Sequence, residues 1–238
     1  MPNVVLICRL FVMETCDMRA VTMPQKKGTR MTDTIDIVFV LYPGIVQLDF
    51  SGPHEVFSRL PGARIRLCSP DGGDLRASHG LVFRDIERLQ DIERCDLLCI
   101  PGGPDQSRIT EADCLNHIRR LAESARYVTS VCTGSLVLAA AGLLEGKRSA
   151  CHWGARSQLE KFGAIPDSSR VVRDGRFITG SGVTSGIDFA LTCAAEIAGP
   201  VIAQAIQLIL EYAPEPPFNA GRPEFAAPEV KQALGQLS

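Results

Sequence analysis

A single cysteine lies between two different sequence patterns near the middle of the chain. Residues 127–131 form a short β-rich run, and from Gly134 onward small apolar residues and leucines form a run with helical character. A nucleophile mounted on such a sharp strand-to-helix turn projects above the edge of the sheet, and Gly134 lets backbone and substrate approach closely. We therefore predict that Cys132 is a nucleophile, although free cysteines are more often small buried hydrophobic residues.

The position of Cys132 before a helix also has an electrostatic consequence. Unpaired backbone N–H groups and the positive end of the helix dipole both favour the thiolate, which is the reactive form. The same N–H groups can stabilise negative charge that develops on a substrate. The next residue, Thr133, has two interpretations: its hydroxyl orients a water molecule, or it is an ordinary residue of the first helical turn.

Two other loops carry groups that can act together with this thiol. Asp49 follows the first predicted strand, and Gly102 and Gly103 follow a later one. In an open parallel sheet, ligands bind beyond the carboxyl ends of the strands. If the three loops meet there, one crevice holds a carboxylic acid, backbone donors and a thiol. The alternatives are that Asp49 caps the following helix and that the glycines only form a tight turn.

The four histidines give no comparable signal. They are scattered, and neither they nor the cysteines show the short spacing of zinc ligands. His152 has two interpretations, a base for Cys132 or a packing residue beside Trp153, and we favour packing. We expect no structural zinc. The four positions are His54, His79, His117 and His152.

Composition excludes several classes of protein. The 238 residues include 25 Lys and Arg against 27 Asp and Glu, a net charge of −2. The chain has no surplus of basic residues, so its composition does not point to nucleic acid or an anionic membrane as a partner. Nine cysteines, an odd number without a C-x-x-C pair, are typical of a reduced chain rather than of a disulfide framework. We expect a cytoplasmic protein that acts on small molecules.

Strands and helices alternate through most of the chain. Near-continuous β-branched runs, as in residues 35–41, are typical of strands buried on both faces. This order predicts a single α/β domain with a doubly wound, mostly parallel, flavodoxin-like sheet and helices on both faces. The main predicted strands are 35–41, 64–69, 96–100, 127–131, 170–173 and 176–179.

The helix boundaries follow from capping signals. Ser51 or a residue near it is the expected cap of the first helix, with Pro53 in its first turn and Asp49 in the loop before it. Ser185 is expected to open a later helix through a capping box. The other predicted helices are 113–124, a helix near 154–162, and 201–212.

The two ends of the chain differ from the predicted domain of residues 32–213. All five methionines lie within residues 1–31, so this extension is either a poorly ordered appendage or precedes a true start at Met31. Its apolar stretch is too short to span a bilayer and lacks the flanks of a signal peptide. Residues 214–238 are expected to form a Pro-rich tail.

Several motifs together resemble the ThiJ/PfpI superfamily, whose members are related to class I glutamine amidotransferases. Within that superfamily the resemblance is greatest to the isonitrile hydratases, and it covers about residues 34 to 222. The motifs that carry it are Tyr42-Pro43-Gly44, Gln47-Leu48-Asp49, Gly52 to Val56, Ile100-Pro101-Gly102-Gly103, Thr129 to Leu138, His152-Trp153, Gly186 to Leu191 and Leu210 to Pro214.

One departure from the wider superfamily is informative. PfpI-type members place His directly after the nucleophilic Cys, whereas this chain has Thr133 there. Without that imidazole, peptidase-like Cys–His chemistry is disfavoured and another group must move the protons. The resemblance to isonitrile hydratases implies that Asp49 is this group and that Thr133 is also required for activity.

The same resemblance implies a reaction. Water would add to a small-molecule isonitrile to give an N-substituted formamide, through a thioimidate on Cys132, with Asp49 as acid and base. Gly102, Gly103 and Gly134 would bind the substrate or its developing charge. This chemistry needs no metal and no organic cofactor. The superfamily also implies a homodimer.

Two alternatives remain at this point. Similar domains open some AraC-type transcription regulators, so the chain could be a ligand-binding module or a sensor that oxidises Cys132. Such regulators continue into a helix-turn-helix domain of about a hundred residues. Only some two dozen residues follow Tyr212, so we expect no DNA binding. A glyoxalase or deglycase activity is the other alternative, and the absence of the neighbouring His disfavours it.

Overall fold

An eight-stranded sheet forms the centre of the protein, in a computed structural model that describes residues 34–236. The predicted extension over residues 1–31 and its possible start at Met31 lie outside the described residues. Within the described range, no helix combines the length and the apolar character needed to cross a membrane.

The sheet is mostly parallel, with an antiparallel strand at each edge. Its strand order is β3-β4-β2-β1-β5-β6-β10-β9, and only the β3–β4 and β9–β10 pairs are antiparallel. A separate pair joins β7 and β8. The strands are β1 Ile35–Val40, β2 Ala63–Ser69, β3 Gly73–Arg76, β4 Val82–Arg88, β5 Leu97–Ile100, β6 Tyr127–Val131, β7 Arg148–Ala150, β8 Ile165–Asp167, β9 Val171–Asp174 and β10 Phe177–Gly180.

The central strands are covered on both faces. Every residue of β5 and β6 is buried, including Thr129 and Ser130 of β6, as expected for a parallel sheet between helical layers. This confirms the doubly wound α/β class. The helices are α1 Gln47–Phe57, α2 Ala112–Ser124, α3 Gly134–Ala140, α4 Ser185–Ala198, α5 Pro200–Ile209 and α6 Pro228–Ala233.

Helices α1 and α4 pack closely against each other because two glycines lie at their contact. A Cβ atom on Gly52 would lie 3.2 Å from Cγ1 of Ile187, and one on Gly186 would lie 3.0 Å from Cδ of Pro53. A side chain at either position would separate the helices. Helix α4 in turn packs on β6 and β10, so α1 is held over the carboxyl edge of the sheet.

The start of α1 differs from the prediction. The helix begins at Gln47, so Asp49 lies in its first turn rather than in a loop, and Pro53 lies in its interior. Ser51 is therefore not the cap, and Val46, which precedes the helix, makes no side-chain capping bond. Burial of Phe50 and of other apolar residues of α1 outweighs the local preferences of Ser and Pro.

Three further local predictions need correction. The predicted capping box is wrong, because Ser185 is itself helical and its hydroxyl donates to the carbonyl of Gly182 at 2.6 Å. The helix expected near 154–162 is a 3₁₀ helix over Arg156–Phe162. The C-terminal segment contains α6, which the proline content of the tail did not predict.

Candidate active site

Cys132 lies on a tight turn between β6 and α3, as the sequence predicts. Its φ angle is +59°, a left-handed conformation that non-glycine residues rarely adopt and that is enriched at functional sites. Its N–H donates to the carbonyl of Gly180 at the end of β10, at 3.0 Å. We call residues 131–134 the elbow. The side chain is only 5% exposed.

The elbow is held by close backbone packing at Gly134. A Cβ atom there would lie 2.1 Å from the carbonyl oxygen of Ile100, so only glycine allows α3 to begin against the end of β5. One residue on, the Ser135 hydroxyl donates to the carbonyl of Ala150 at 2.6 Å. Gly134 therefore positions the elbow, and its predicted contact with substrate stays a prediction.

Asp49 reaches the elbow from the first turn of α1. Its side chain is completely buried, and its Oδ2 atom accepts a hydrogen bond from the N–H of Gly102 at 3.0 Å. Its Oδ1 atom has no hydrogen-bond partner among the described residues, and the nearby thiol of Cys132 acts to lower the pKa of the carboxyl against the larger effect of burial. The alternative interpretation of Asp49 as a helix cap is therefore wrong.

The backbone of Gly102 is the point where the three candidate groups meet. A Cβ atom on this residue would lie 2.6 Å from Oδ2 of Asp49 and 2.8 Å from Cβ of Cys132. It would also lie 2.7 Å from the backbone nitrogen of Thr133. Oδ2 of Asp49 and Cβ of Cys132 therefore lie close to each other, on either side of the Gly102 backbone. The three groups that the sequence places on separate loops do meet.

Replacing Gly102 by alanine should damage this arrangement. The clashes with the backbone nitrogen of Thr133 and with Cβ of Cys132 involve atoms that cannot move away cheaply, and the third would displace the carboxyl of Asp49. We therefore expect kcat for the proposed reaction to fall about 10²-fold, the effect of a displacement of about 1 Å. Steady-state kinetics would measure it. Gly235→Ala is a matched control, because a Cβ atom there meets nothing within 4 Å. Full activity in Gly102→Ala would show that the three groups need not meet.

The shared burial of Asp49 and Cys132 sets their protonation. Burial raises the pKa of Asp49 to about 6, although the Cys132 thiol and the Gly102 N–H oppose this shift. Burial, and then the charge of Asp49, raise the pKa of Cys132 far above its usual range, and the Thr133 N–H only partly offsets this. Burial thus outweighs the preference for the thiolate that the helix N-terminus creates. Near neutral pH the pair consists of a thiol and a carboxylate.

The buried carboxylate should cost stability, and the cost should depend on pH. The pKa of Asp49 is about 6 in the folded protein and about 3.8 when unfolded. Below about pH 4 the carboxyl is protonated in both states and costs no stability; the cost grows as the pH rises to about 6. The free energy of unfolding of Asp49→Asn, measured by urea denaturation, should therefore rise relative to that of the wild type by up to about 3 kcal/mol between these limits.

A control for this pH dependence is Asp105→Asn. Asp105 is exposed, and the Ser107 N–H lowers its pKa, so its substitution should show no such gain with pH. If the difference in unfolding free energy between Asp49→Asn and the wild type stays constant from pH 4 to pH 7, the raised pKa is refuted.

Thr133 takes part in a hydrogen-bond network that the sequence did not reveal in full. Its hydroxyl donates to the carbonyl of Gly103 at 2.8 Å and accepts from the Gly103 N–H at 2.9 Å. The side-chain amide of Gln106 donates to the same hydroxyl at 3.1 Å and also to the Gly103 carbonyl. The Gly103 N–H therefore holds Thr133, while the Gly102 N–H holds Asp49.

Gln106 and Tyr42 are the polar side chains that sequence reasoning missed as parts of this network. Tyr42 is buried, and its hydroxyl donates to the carbonyl of Pro101, just before the two glycines. The only sign in the sequence was that Gln106, an amide residue, follows Gly103 by three positions. Its partner Thr133 lies 27 positions away in the chain, so the contact could not be predicted. Together they fix the loop after β5 against the elbow.

His152 does not contact the nucleophile through a hydrogen bond. Its Nδ1 atom accepts from the N–H of Gly154 at 3.2 Å, and its ring lies 5.5 Å from that of Trp153. Burial lowers its pKa, so the imidazole is neutral at pH 7. These contacts support the packing interpretation. Among the described residues, no cluster of three His, Cys, Asp or Glu side chains could hold a metal ion.

Three comparisons agree with this geometry. Residues 36–196 match the sequence model of the DJ-1/PfpI family. The isonitrile hydratase of Pseudomonas putida is 47% identical over 197 residues, which are 82% of this chain and 86% of that protein. A crystal structure of a ThiJ/PfpI family protein from Pseudomonas syringae superposes with a TM-score of 0.82 at 36% identity, over 91% of this chain and 93% of that one.

A regulator is also related. The HTH-type transcriptional regulator CdhR of Pseudomonas aeruginosa is 31% identical over 175 residues, or 71% of this chain, but the match spans only 52% of the regulator. The family pattern covers well over half of the chain, and the sheet is mostly parallel, as the sequence predicts. The chain belongs to the DJ-1/PfpI family.

Proposed function

We propose that this chain is an isonitrile hydratase, which adds water to a small isonitrile and releases an N-substituted formamide. The observation that carries the proposal is the pairing of a buried carboxyl with the elbow thiol in a site where no histidine follows the cysteine. The 47% identity to the isonitrile hydratase of Pseudomonas putida supports the same reaction.

The first half of the reaction uses the proton that Asp49 and Cys132 exchange. Asp49 accepts the proton of the thiol as sulfur forms a bond to the terminal carbon of the isonitrile. The electron pair left on that carbon then takes the same proton from Asp49. The product is a thioimidate with a C=N double bond, and Asp49 is a carboxylate again.

The second half consumes water. Asp49 removes a proton from a water molecule as its oxygen attacks the thioimidate carbon, and the proton passes to nitrogen as the C=N double bond opens. The tetrahedral adduct then loses sulfur, and the proton of its hydroxyl returns to Cys132 through Asp49. One isonitrile and one water give one formamide, and both residues end in their starting states.

The surrounding residues fix the position of the two reacting groups. The Gly102 N–H holds one oxygen of Asp49, so the other oxygen stays available for proton transfer. Thr133 is fixed by Gly103 and Gln106, and its own N–H interacts with the Cys132 sulfur. We assign to this N–H the stabilisation of negative charge on sulfur when the adduct collapses.

The direct test is turnover by the wild-type protein. Purified protein mixed with benzyl isonitrile should release N-benzylformamide, detected by liquid chromatography, without any added metal or organic cofactor. The formamide carbon of the product should carry ¹⁸O when the reaction is run in H₂¹⁸O. Absence of turnover with a panel of alkyl and aryl isonitriles would refute the proposal.

The structure favours the hydratase over a peroxide sensor. Sensor cysteines are exposed and have a low pKa, whereas Cys132 is buried and its pKa is raised. Peroxide treatment before the assay separates the two functions. A hydratase should lose turnover only slowly under peroxide, and a sensor should oxidise rapidly at Cys132 and show no isonitrile turnover.

A further inference from the structure

A cavity of about 740 Å³ lies between α4 and the C-terminal segment. Its walls are mainly apolar. Leu48 of α1 and Ile187 of α4 form one side, and Phe218 and Phe225 of the C-terminal segment form the other. We call this cavity the tail chamber. Both phenylalanines are largely exposed, so a ligand in the chamber would bury apolar surface.

The C-terminal segment is attached to the domain on both sides of Phe218. The hydroxyl of Tyr212 donates to Oδ2 of Asp188 on α4 at 2.9 Å. Further along, Arg156 forms an ion pair with Glu224 at 4.0 Å. These contacts hold the intervening residues over α4, so the chamber has a built wall.

Two of the four charged groups that line the chamber, Arg170 and Asp188, are paired with each other. Arg170 donates to Asp188 through Nε at 2.8 Å and to the carbonyl of Thr184 at 2.9 Å. The other two, Glu215 and Arg222, belong to the C-terminal segment. The Arg170–Asp188 pair thus offers a ligand no free charge, and most of the remaining wall is apolar.

A second cavity of about 290 Å³ adjoins the tail chamber, and Val183, Thr184 and Arg170 line both. The second cavity also reaches Cys151 and Ser181. Cys151 follows Ala150, whose carbonyl accepts from Ser135 just after the elbow, and Ser181 follows Gly180, whose carbonyl accepts from the N–H of Cys132. The two cavities thus extend from residues that flank the elbow to the C-terminal segment.

We propose that the tail chamber binds the nitrogen substituent of the isonitrile, and that it selects bulky apolar substituents over small ones. This inference rests on the proposed hydratase function. Its volume lies in the range of pockets that enclose whole ligands, far more than a methyl group needs. Phe225 and Phe218 are then the specificity-determining residues of the reaction, although they lie outside the catalytic machinery.

The test compares methyl isonitrile with benzyl isonitrile. In the wild type, kcat/KM should be higher for the benzyl compound. In Phe225→Ala and Phe218→Ala it should fall about tenfold for benzyl isonitrile, mainly through KM, and change less than twofold for methyl isonitrile. The matched control is Phe162→Ala, because Phe162 is also exposed but lies outside both cavities and should leave both substrates unaffected.

Binding of N-benzylformamide, measured by isothermal titration calorimetry, separates the two proposals. If the wild type hydrates neither isonitrile but binds N-benzylformamide, and Phe225→Ala weakens this binding, then the hydratase proposal fails and the chamber stands as a ligand site. The chamber proposal is overturned if both isonitriles are turned over equally well and neither variant alters the ratio of their kcat/KM values or the binding of N-benzylformamide. It is also overturned if the two variants change only the oligomeric state.

Discussion

Cys132→Ala is expected to lose isonitrile hydration almost completely, with kcat lowered at least about 10⁴-fold, because no other group in the site can form the thioimidate. The substitution removes only a sulfur atom from a buried position, so the fold should persist. Formation of N-benzylformamide by the variant and by the wild type, at equal protein concentration, measures the effect.

The matched control is Cys95→Ala, which removes another buried thiol from a loop before β5. It should retain activity near the wild-type level. A covalent readout adds a second check: rapid acid quench of the wild-type reaction, followed by mass spectrometry, should show the isonitrile mass added to the peptide that contains Cys132. Cys132→Ala turning over at the wild-type rate would exclude the mechanism.

Asp49→Asn should lower kcat about 10³-fold, because an amide neither accepts the thiol proton nor delivers a proton to carbon. The wild type should also show a specific pH profile. Since the reactive pair needs Asp49 as carboxylate and its pKa is about 6, kcat/KM should rise as the pH increases through about 6 and then level off. The rise belongs to the coupled pair, not to one residue.

The Asn variant provides the matching measurement, because its residual activity should lack the rise near pH 6. Asp105→Asn, which changes an exposed carboxyl on the loop after β5, should keep the wild-type profile. A wild-type profile that is flat between pH 5 and pH 8, or an Asn variant that keeps the rise, would remove Asp49 from the proton transfers and assign them to another group.

The sequence was sufficient to predict the central strands and the meeting of the loops that follow them. β1 and β5 are near-continuous apolar runs, and this pattern indicates buried parallel strands with few alternatives. The meeting of Asp49, Gly102 and Cys132 follows from that topology, because the carboxyl ends of parallel strands lie at one edge. The start of α1 was mispredicted because Ser51 and Pro53 are local signals, which tertiary packing outweighs.

The protonation of Cys132 could not be predicted from sequence. Its place before a helix suggests a thiolate, but α3 has only seven residues, and burial together with the nearby carboxylate has the larger effect. The contacts of Gln106 and Tyr42 were missed for a related reason. Their partners are distant in the chain, and only the folded loop after β5 brings them together.

The glycine contact between α1 and α4 links the helix that carries Asp49 to a wall of the tail chamber. Ile187, whose Cγ1 would lie 3.2 Å from a Cβ atom on Gly52, also lines the tail chamber, while Asp49 lies on the same turn of α1 as Gly52. A substituent that presses on Ile187 therefore presses on the helix that carries the acid. Across a series of isonitriles, affinity and turnover should vary together rather than independently.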